Sequence, residues 1–192
     1  MKTIYKHLLI TFLFLGNVCF LQAQTTGNFT TLQNLISGTA ANGTLTLTRD
    51  YVATAGEGRL EISKNITIDL NGHIVNRNLQ ESQAKGNVFY VNANVTLTIK
   101  DSRPTATHSP AVTFTNPITQ VEESIVGGII MGGNTTTDGG GIMVTEGGRL
   151  TMNGGSIAKN RSVRGGRRSF QLSELDIYYD RWSHCWQHGW IL

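Results

Sequence analysis

The segments Gly127-Gly128-Ile129-Ile130 and Gly154-Gly155-Ser156-Ile157 share one pattern, and their second glycines are separated by 155 − 128 = 27 in sequence number. A fixed spacing of roughly 20–50 residues is typical of solenoids, in which each coil stacks its strands on those of the previous coil. The same interval beyond Gly155 leads to Trp182, inside a tail of different composition. The spacing therefore predicts a stacked β-repeat that ends before the tail.

The residues before these segments alternate between Thr and aliphatic side chains, which is the pattern of a strand with one buried face. Further strands are predicted within the last coil, at residues 139–144, 149–152 and 155–158. The connections are too short and polar for crossover helices, and a sandwich would not need a fixed repeat, so we predict an all-β solenoid. The alternating segments are Leu45-Thr46-Leu47-Thr48, Leu60-Glu61-Ile62, Ile66-Thr67-Ile68-Asp69-Leu70 and Val95-Thr96-Leu97-Thr98-Ile99.

The N-terminus has the features of an export signal. Lys2 and Lys6 precede a short apolar core at residues 8–15, and Ala23 offers a cleavage site before Gln24. Because the apolar run is too short to cross a bilayer, residues 1–23 are predicted to be a cleaved signal peptide. The alternative, a lipoprotein modified at Cys19, is disfavoured by the bulky Val18 before it.

Residues 29–36 carry apolar side chains at helical spacing, with Thr30 or Thr31 as the predicted N-cap. An open solenoid end exposes apolar core and unpaired backbone groups, so this helix is a candidate N-terminal cap. The alternative is an ordinary surface helix.

Composition agrees with a secreted, turn-rich β-protein. The chain has 22 Gly and only 15% charged residues, and much of its basic charge lies in the last few dozen residues. Of its two cysteines, Cys19 leaves with the signal peptide and Cys185 stands alone in the tail, so no disulfide framework is predicted.

The chain also resembles a known group of proteins. The segments Ile66-Thr67-Ile68-Asp69-Leu70-Asn71-Gly72-His73 and Leu150-Thr151-Met152-Asn153-Gly154-Gly155-Ser156-Ile157 resemble right-handed parallel β-helix proteins of the bacterial surface. These are the pectate-lyase-like adhesins and the Gly-Gly-Ala-Ile repeats of polymorphic outer-membrane proteins, and the signal peptide resembles those of the Bacteroides group. The resemblance covers roughly residues 44–166 and implies the fold more specifically than any activity.

The tail from Arg167 onward contains all three tryptophans and fits the repeat better when read one base later. Trp has the single codon TGG, so this shift always turns Trp182 into Gly, in register with Gly155. With permitted codons, residues 178–187 then read Thr-Met-Thr-Gly-Gly-Ala-Ile-Val-Gly-Asn, beside Thr-Met-Asn-Gly-Gly-Ser-Ile-Ala-Lys-Asn in the coil before. We therefore predict that residues 24–166 form the β-helix domain and that residues 167–192 are an aberrant, out-of-frame tail of a frameshifted, truncated product.

The candidate chemical sites are weak. A metal site could be formed by His184, Cys185 and His188, but the sequence offers no fourth ligand. The basic, Trp-rich tail could indicate binding to a membrane or to nucleic acid, but an out-of-frame tail would not have that function. Two stacked carboxylates, Asp69 and Asp101, are expected at solvated corners, where Asp accepts backbone N–H bonds, more often than in a catalytic site. The remaining candidates for carbohydrate chemistry are Lys100, Asp138, Glu146 and Arg149.

The sequence thus predicts an exported, non-catalytic, adhesin-like surface protein whose outward Thr and Asn ladders and loops contact glycans or host surface molecules. No catalytic, cofactor or metal residues are assigned, and neither nucleic acid nor a membrane-spanning segment of the mature chain is expected. The proline-rich stretch at residues 103–120 is predicted to be a long loop that serves as a binding excursion. The alternative is an N-terminal fragment of a polysaccharide lyase or glycoside hydrolase of β-helix fold.

Overall fold

In the part of the chain that the structure describes, the fold is β-rich, with strands in parallel sheets and one short helix. The computed structural model describes residues 26–116 and 118–163, together with the strands at 170–171 and 175–178. Helix α1 spans Phe29–Gly38. The strands are β1 Thr44–Thr46, β2 Tyr51–Val52, β3 Leu60–Ile62, β4 Ile66–Asp69, β5 Ile74–Asn76, β6 Phe89–Val91, β7 Thr96–Lys100, β8 Val112–Thr115, β9 Glu122–Ile125, β10 Ile129–Met131, β11 Asn134–Thr135, β12 Ile142–Val144, β13 Arg149–Asn153, β14 Ser156–Ile157, β15 Arg161–Ser162, β16 Phe170–Gln171 and β17 Leu175–Tyr178.

Three sheets carry most of these strands. Sheet 1 has the order β1-β4-β7-β13-β17, sheet 2 the order β16-β14-β10-β5-β2, and sheet 3 the order β12-β6-β3. Every pairing among β1 to β7, β10 and β12 to β14 in these sheets is parallel. The chain visits sheets 1, 2 and 3 in turn and then returns to sheet 1. Three circuits add one strand to each of these sheets, and β13 and β14 add a fourth parallel strand to sheets 1 and 2.

The strand register reproduces the glycine spacing of the sequence. Ile129 pairs with Ser156 and Ile130 with Ile157, so the two strands are offset by the same interval that separates Gly128 from Gly155. These two glycines therefore occupy the same place in successive circuits. A Cβ on Gly128 would lie 2.8 Å from Cδ1 of Leu70, and a Cβ on Gly155 would lie 2.6 Å from the same atom. Both glycines make room for one buried leucine, and this explains why the repeat carries glycine at this position.

The core is built from ladders of aliphatic side chains in register. Ile66, Leu97 and Leu150 form one ladder across sheet 1, and Ile68, Ile99 and Met152 form the next. All six residues are no more than 2% exposed. The predicted alternation of buried aliphatic and outward Thr residues is confirmed in these strands.

Helix α1 begins earlier than the predicted caps imply. Asn28 is the N-cap, with extended backbone and a side-chain oxygen that accepts the N–H of Thr31, so the prediction of Thr30 or Thr31 was wrong. The buried face consists of Phe29, Leu32 and Ile36.

The helix also occupies the edge of sheet 3. The side-chain amide of Gln33 donates to the carbonyl of Glu61 at 3.2 Å and accepts the Glu61 N–H at 2.8 Å. One side chain therefore satisfies the two backbone groups of β3 that a neighbouring strand would otherwise pair.

The carboxylate of Glu57 holds the N-terminus of α1. It accepts the N–H groups of Phe29 at 3.2 Å, Thr30 at 2.6 Å and Thr54 at 2.7 Å. Burial pushes the pKa of Glu57 upward, but hydrogen bonds from Thr30 and Thr54 outweigh it and lower the pKa from 4.5 to about 2. Anions are favoured at this end of a helix by its unpaired N–H groups and its dipole.

We expect Glu57→Gln to destabilise the protein by ~1–2 kcal/mol at neutral pH, since a charged hydrogen-bond acceptor at the helix N-terminus is lost. Because the folded-state pKa is depressed, the contribution of Glu57 is complete above about pH 4.5 and is lost as the pH falls towards 2. Urea denaturation at several pH values should therefore show the gap between wild type and variant closing below pH 4.5. The exposed Glu81→Gln serves as control, and a gap independent of pH would contradict this role of Glu57.

The segment predicted as a long loop at residues 103–120 is partly a hairpin. Strands β8 and β9 pair antiparallel, from Val112 opposite Ile125 to Thr115 opposite Glu122. Val112 and Phe114 pack with Ile125 against Ile129 and neighbouring apolar residues of β5 and β10, in a second apolar cluster separate from the main core.

The hairpin has a structural cause. Strands β5 and β10 carry apolar residues on both faces, so the outer face of sheet 2 needs cover, and the hairpin supplies it. The expectation of a free loop was wrong for this part. At the tip of the hairpin, the apolar side chains of Ile118 and Val121 are 65% and 57% accessible.

Beyond residue 163, the chain departs from the parallel pattern. Strand β16 pairs antiparallel with β14, and β17 pairs antiparallel with β13. These strands lie along the last edges of sheets 1 and 2, at the place where a further circuit would add parallel strands. Trp182 and the candidate ligands His184, Cys185 and His188 lie outside the described residues.

Candidate functional surface

A row of four threonines crosses the outer face of sheet 1. Thr44 pairs with Thr67, Thr67 with Thr98, and Thr98 with Thr151. Adjacent strands in a sheet lie about 4.8 Å apart, so the four side chains repeat at that interval across the sheet. We call this row the threonine ladder. Each hydroxyl can both donate and accept hydrogen bonds, so the row offers a regular array of polar contacts.

Charged groups border the ladder. Thr96 pairs with Arg149, and Asp69 pairs with Lys100, whose Nζ lies 3.3 Å from Asp69 Oδ2. The structure thus places three of the predicted candidates in sheet 1: Asp69 and Lys100 are adjacent, and Arg149 lies at the opposite end of the strands. The combination of hydroxyls, an ammonium and a guanidinium suits hydrogen bonding to an oxygen-rich ligand.

The carboxylate of Asp69 braces a corner. Its Oδ1 accepts the N–H groups of Asn71 and Ser102, both at 3.0 Å, and the side chain is 4% exposed. Burial alone would raise the pKa of Asp69, but bonds from Ser102 and Asn71 and the ammonium of Lys100 outweigh it and hold the pKa below its ordinary value. An ionised, fully engaged carboxylate is poorly suited to donate a proton to a substrate.

Asp101 braces successive circuits. Its Oδ1 accepts the N–H of Gly72 at 2.7 Å and of Arg103 at 3.1 Å, and its Oδ2 accepts the N–H of Gly128 at 2.6 Å. Asp69 and Asp101 therefore satisfy backbone donors at neighbouring corners. The predicted acceptance of backbone N–H bonds at corners is confirmed for both residues, but the expectation of a solvated corner is wrong for Asp69, which is buried.

The other predicted candidates are scattered. Asp138 is an exposed residue whose carbonyl accepts from the side chain of Asn87, and Glu146 lies in the turn before β13. His73, at a corner, places Nδ1 3.1 Å from Asp50 Oδ1. Among the described residues, no group of three or more His, Cys, Asp or Glu side chains is placed to hold a metal ion.

The sequence did not single out Arg59 or Arg77, whose surroundings are unusual in the structure. The guanidinium of Arg59 lies 3.5 Å from the centre of the Tyr90 ring and its Nε is 2.8 Å from Glu61 Oε1, on the outer face of sheet 3. Arg77 is only 4% exposed. Only the register reveals these surroundings, because most of the partners lie on other circuits of the chain.

Comparison with known protein families, with curated protein sequences and with solved structures finds no match. The described part of the chain contains no helix with the length and apolar character needed to cross a membrane.

Proposed function

We propose that this chain is an exported, non-catalytic surface protein of the adhesin type that binds glycans through the threonine ladder. The single observation that carries the proposal is the ladder itself, four threonines in register on one sheet face. Regular hydroxyls bordered by Lys100 and Arg149 complement the hydroxyl and ring oxygens of an extended saccharide. The side chains of Asp69 and Asp101 are committed to the fold, so an enzymatic role gains no support from them.

The proposed architecture is a right-handed parallel β-helix capped by α1. Two observations support the β-helix: the chain passes through sheets 1, 2 and 3 in a repeating order, and the strands within each of these sheets are stacked in parallel up to β13 and β14. The handedness follows from the strong preference of parallel crossovers for the right-handed form. The contacts of Gln33 and Glu57 support the role of α1 as a cap. Gln33 satisfies the backbone groups of Glu61 at the edge of sheet 3, and Glu57 accepts the Thr30 N–H at the N-terminus of α1. Such a rod would present the ladder along its length as a stiff scaffold.

A glycan array probed with the purified protein tests the function. We expect binding to a subset of glycans, and the double variant Thr67→Ala/Thr98→Ala should lose about tenfold or more in affinity, since two hydroxyl contacts of ~1 kcal/mol each are removed. The matched control is Thr105→Ala/Thr136→Ala, at two exposed positions outside the ladder. Absence of binding across the array, or equal affinity of the ladder variant and wild type, would contradict the proposal.

We further propose that residues 167–192 are read out of frame. The switch from parallel to antiparallel pairing at β16 and β17 supports this, since it occurs where the repeat pattern stops. Sequencing the gene decides the matter: Gly at position 182 is guaranteed by the Trp codon, so the test is whether the +1 frame also encodes Gly at position 181 and Ile at position 184 and continues the Gly-Gly-x-Ile pattern. A +1 frame without that pattern would refute the frameshift.

A further inference from the structure

Asparagine directly precedes glycine at three places in the described part of the chain: Asn42-Gly43, Asn71-Gly72 and Asn153-Gly154. In such a pair the backbone nitrogen of the glycine can attack the side-chain carbonyl carbon of the asparagine, because glycine has no Cβ to obstruct the approach. The attack requires that the nitrogen and the side chain are both released from hydrogen bonds. The structure therefore decides which of the three pairs reacts in the folded protein.

The pair Asn71-Gly72 is held on both sides. The Gly72 N–H donates to Asp101 Oδ1 at 2.7 Å, and a hydrogen bond to a charged acceptor is stronger than one to a neutral group. The side-chain amide of Asn71 donates to the carbonyl of Leu47 at 2.9 Å and accepts from the hydroxyl of Ser102 at 3.2 Å. Neither reacting group is available unless these contacts break.

The pair Asn42-Gly43 lies in a turn and is held at its nitrogen. The Gly43 N–H donates to the carbonyl of Ala40 at 3.0 Å, so the attacking atom is engaged. The backbone N–H of Asn42 donates in turn to the carbonyl of Asn65 at 2.7 Å, which fixes the turn against the next circuit. This turn has to open before the pair can react.

The pair Asn153-Gly154 is held at neither group. Asn153 ends β13 with an exposed side chain, and neither that side chain nor the Gly154 N–H has a hydrogen-bond partner among the described residues. The pairing of β17 with β13 ends at Met152. Gly154 and Gly155 follow, with φ values of 129° and 78°, so the chain after Asn153 has no side chain that would restrict a local opening.

We propose that Asn153 is a site of spontaneous deamidation in the folded protein. The Gly154 nitrogen loses its proton and bonds to Cγ of Asn153, and the Cγ–Nδ2 bond breaks to release ammonia, which carries that proton away. Water then adds to one of the two carbonyl carbons of the cyclic succinimide and breaks the bond from that carbon to nitrogen. Opening at Cγ gives aspartate, and opening at the backbone carbonyl gives isoaspartate. Water is the only other reactant.

The modification alters the charge beside the threonine ladder. Lys100 pairs with Asp69 on one side and with Asn153 on the other. Its Nζ lies 3.3 Å from Asp69 Oδ2, so one ammonium and one carboxylate balance each other in this row. A carboxylate at position 153 is a second anion for the same ammonium, and the row changes from neutral to negative. The modification itself does not depend on glycan binding.

Incubation of the purified protein in mildly alkaline buffer made with H₂¹⁸O tests the proposal. Digestion in ordinary water and peptide mapping by mass spectrometry then identify each conversion that occurred during the incubation, because its product carries ¹⁸O. Asn153 should convert about fivefold faster than Asn42 and about tenfold or more faster than Asn71, because a neutral hydrogen bond and a bond to a carboxylate must first break at those two sites. Both aspartate and isoaspartate should appear at position 153.

The same incubation in guanidinium chloride is the matched control, since unfolding removes the hydrogen bonds and leaves the three Asn-Gly pairs in place. The three rates should then converge. In the folded protein, Asn153→Gln should suppress the reaction at this position and leave the rate at Asn42 unchanged. A folded-state rate at Asn153 no greater than that at Asn42 would overturn the proposal. An unchanged order of rates in guanidinium chloride would also overturn it, since the difference would then come from neighbouring sequence and not from the fold.

Discussion

Replacing Asp101 with alanine should be among the most damaging single substitutions in the chain, with a loss of ~3–4 kcal/mol in the free energy of unfolding. The carboxylate accepts three backbone N–H groups, and two of these donors belong to the buried residues Gly72 and Gly128. Without the carboxylate, those two N–H groups remain buried and unpaired. A domain of this kind has only ~5–15 kcal/mol of stability in total, so part of the population should unfold.

Urea denaturation followed by circular dichroism measures this loss. Asp101→Asn should fall between wild type and alanine, because the amide keeps one acceptor oxygen and loses the other. Asp138→Ala is the matched control, since Asp138 is exposed and its fold contact is made by the backbone. Equal stability of the Asp101 and Asp138 alanine variants would contradict the bracing role.

Replacing Gly128 with alanine should cost ~2–3 kcal/mol through overpacking. The added Cβ would lie 3.0 Å from Cγ and 2.8 Å from Cδ1 of Leu70, and closer still to its Cβ. Leu70 has no accessible surface, and its Cβ is held by the backbone, so rotation of the side chain cannot relieve the contact.

The same denaturation measurement applies, with Gly58→Ala as control. A Cβ on Gly58 meets nothing within 4 Å, so that variant should remain within ~0.5 kcal/mol of wild type. In a Leu70→Gly background, which lacks the Cβ nearest to the added methyl group, Gly128→Ala should cost less than it costs in wild type. If Gly128→Ala is as stable as Gly58→Ala, then the repeat glycine is not required by Leu70.

The periodic part of the fold was accessible from the sequence because its signal is local. Alternation of Thr with aliphatic residues placed β4 and β7 close to their observed bounds, and the glycine spacing gave the offset between β10 and β14. The corner roles of Asp69 and Asp101 followed from their positions at strand ends. Each of these inferences needed only neighbouring residues or the repeat length.

The parts that were missed depend on contacts between circuits. The prolines and polar residues at 103–120 predict a loop, whereas β8 and β9 form a hairpin that covers sheet 2. Arg77 follows a short strand and looks exposed in sequence. Its burial depends on Ala53 and Gly132, which belong to the preceding and the following circuit, so only the register between circuits reveals it.

The central claim is that successive circuits stack in a fixed parallel register and thereby align the threonine ladder. Crosslinking of engineered cysteine pairs tests it most directly, in a background with Cys19→Ser and Cys185→Ser. The pairs Thr67→Cys/Thr98→Cys and Thr98→Cys/Thr151→Cys are in register, with Cα atoms about 4.8 Å apart. In the control Thr67→Cys/Thr96→Cys, the second cysteine is moved to the next position along the same face of β7, which adds about 6.6 Å along the strand.

A short reagent that bridges only adjacent thiols, such as dibromobimane, should crosslink both in-register pairs efficiently and the displaced control poorly. That result would establish the parallel register of β4, β7 and β13, which belong to three successive circuits. It would include the β7–β13 pair, whose strands are separated in sequence by the β8–β9 hairpin. Efficient crosslinking of the displaced control, with little or none in the two in-register pairs, would contradict both the register and the ladder built on it.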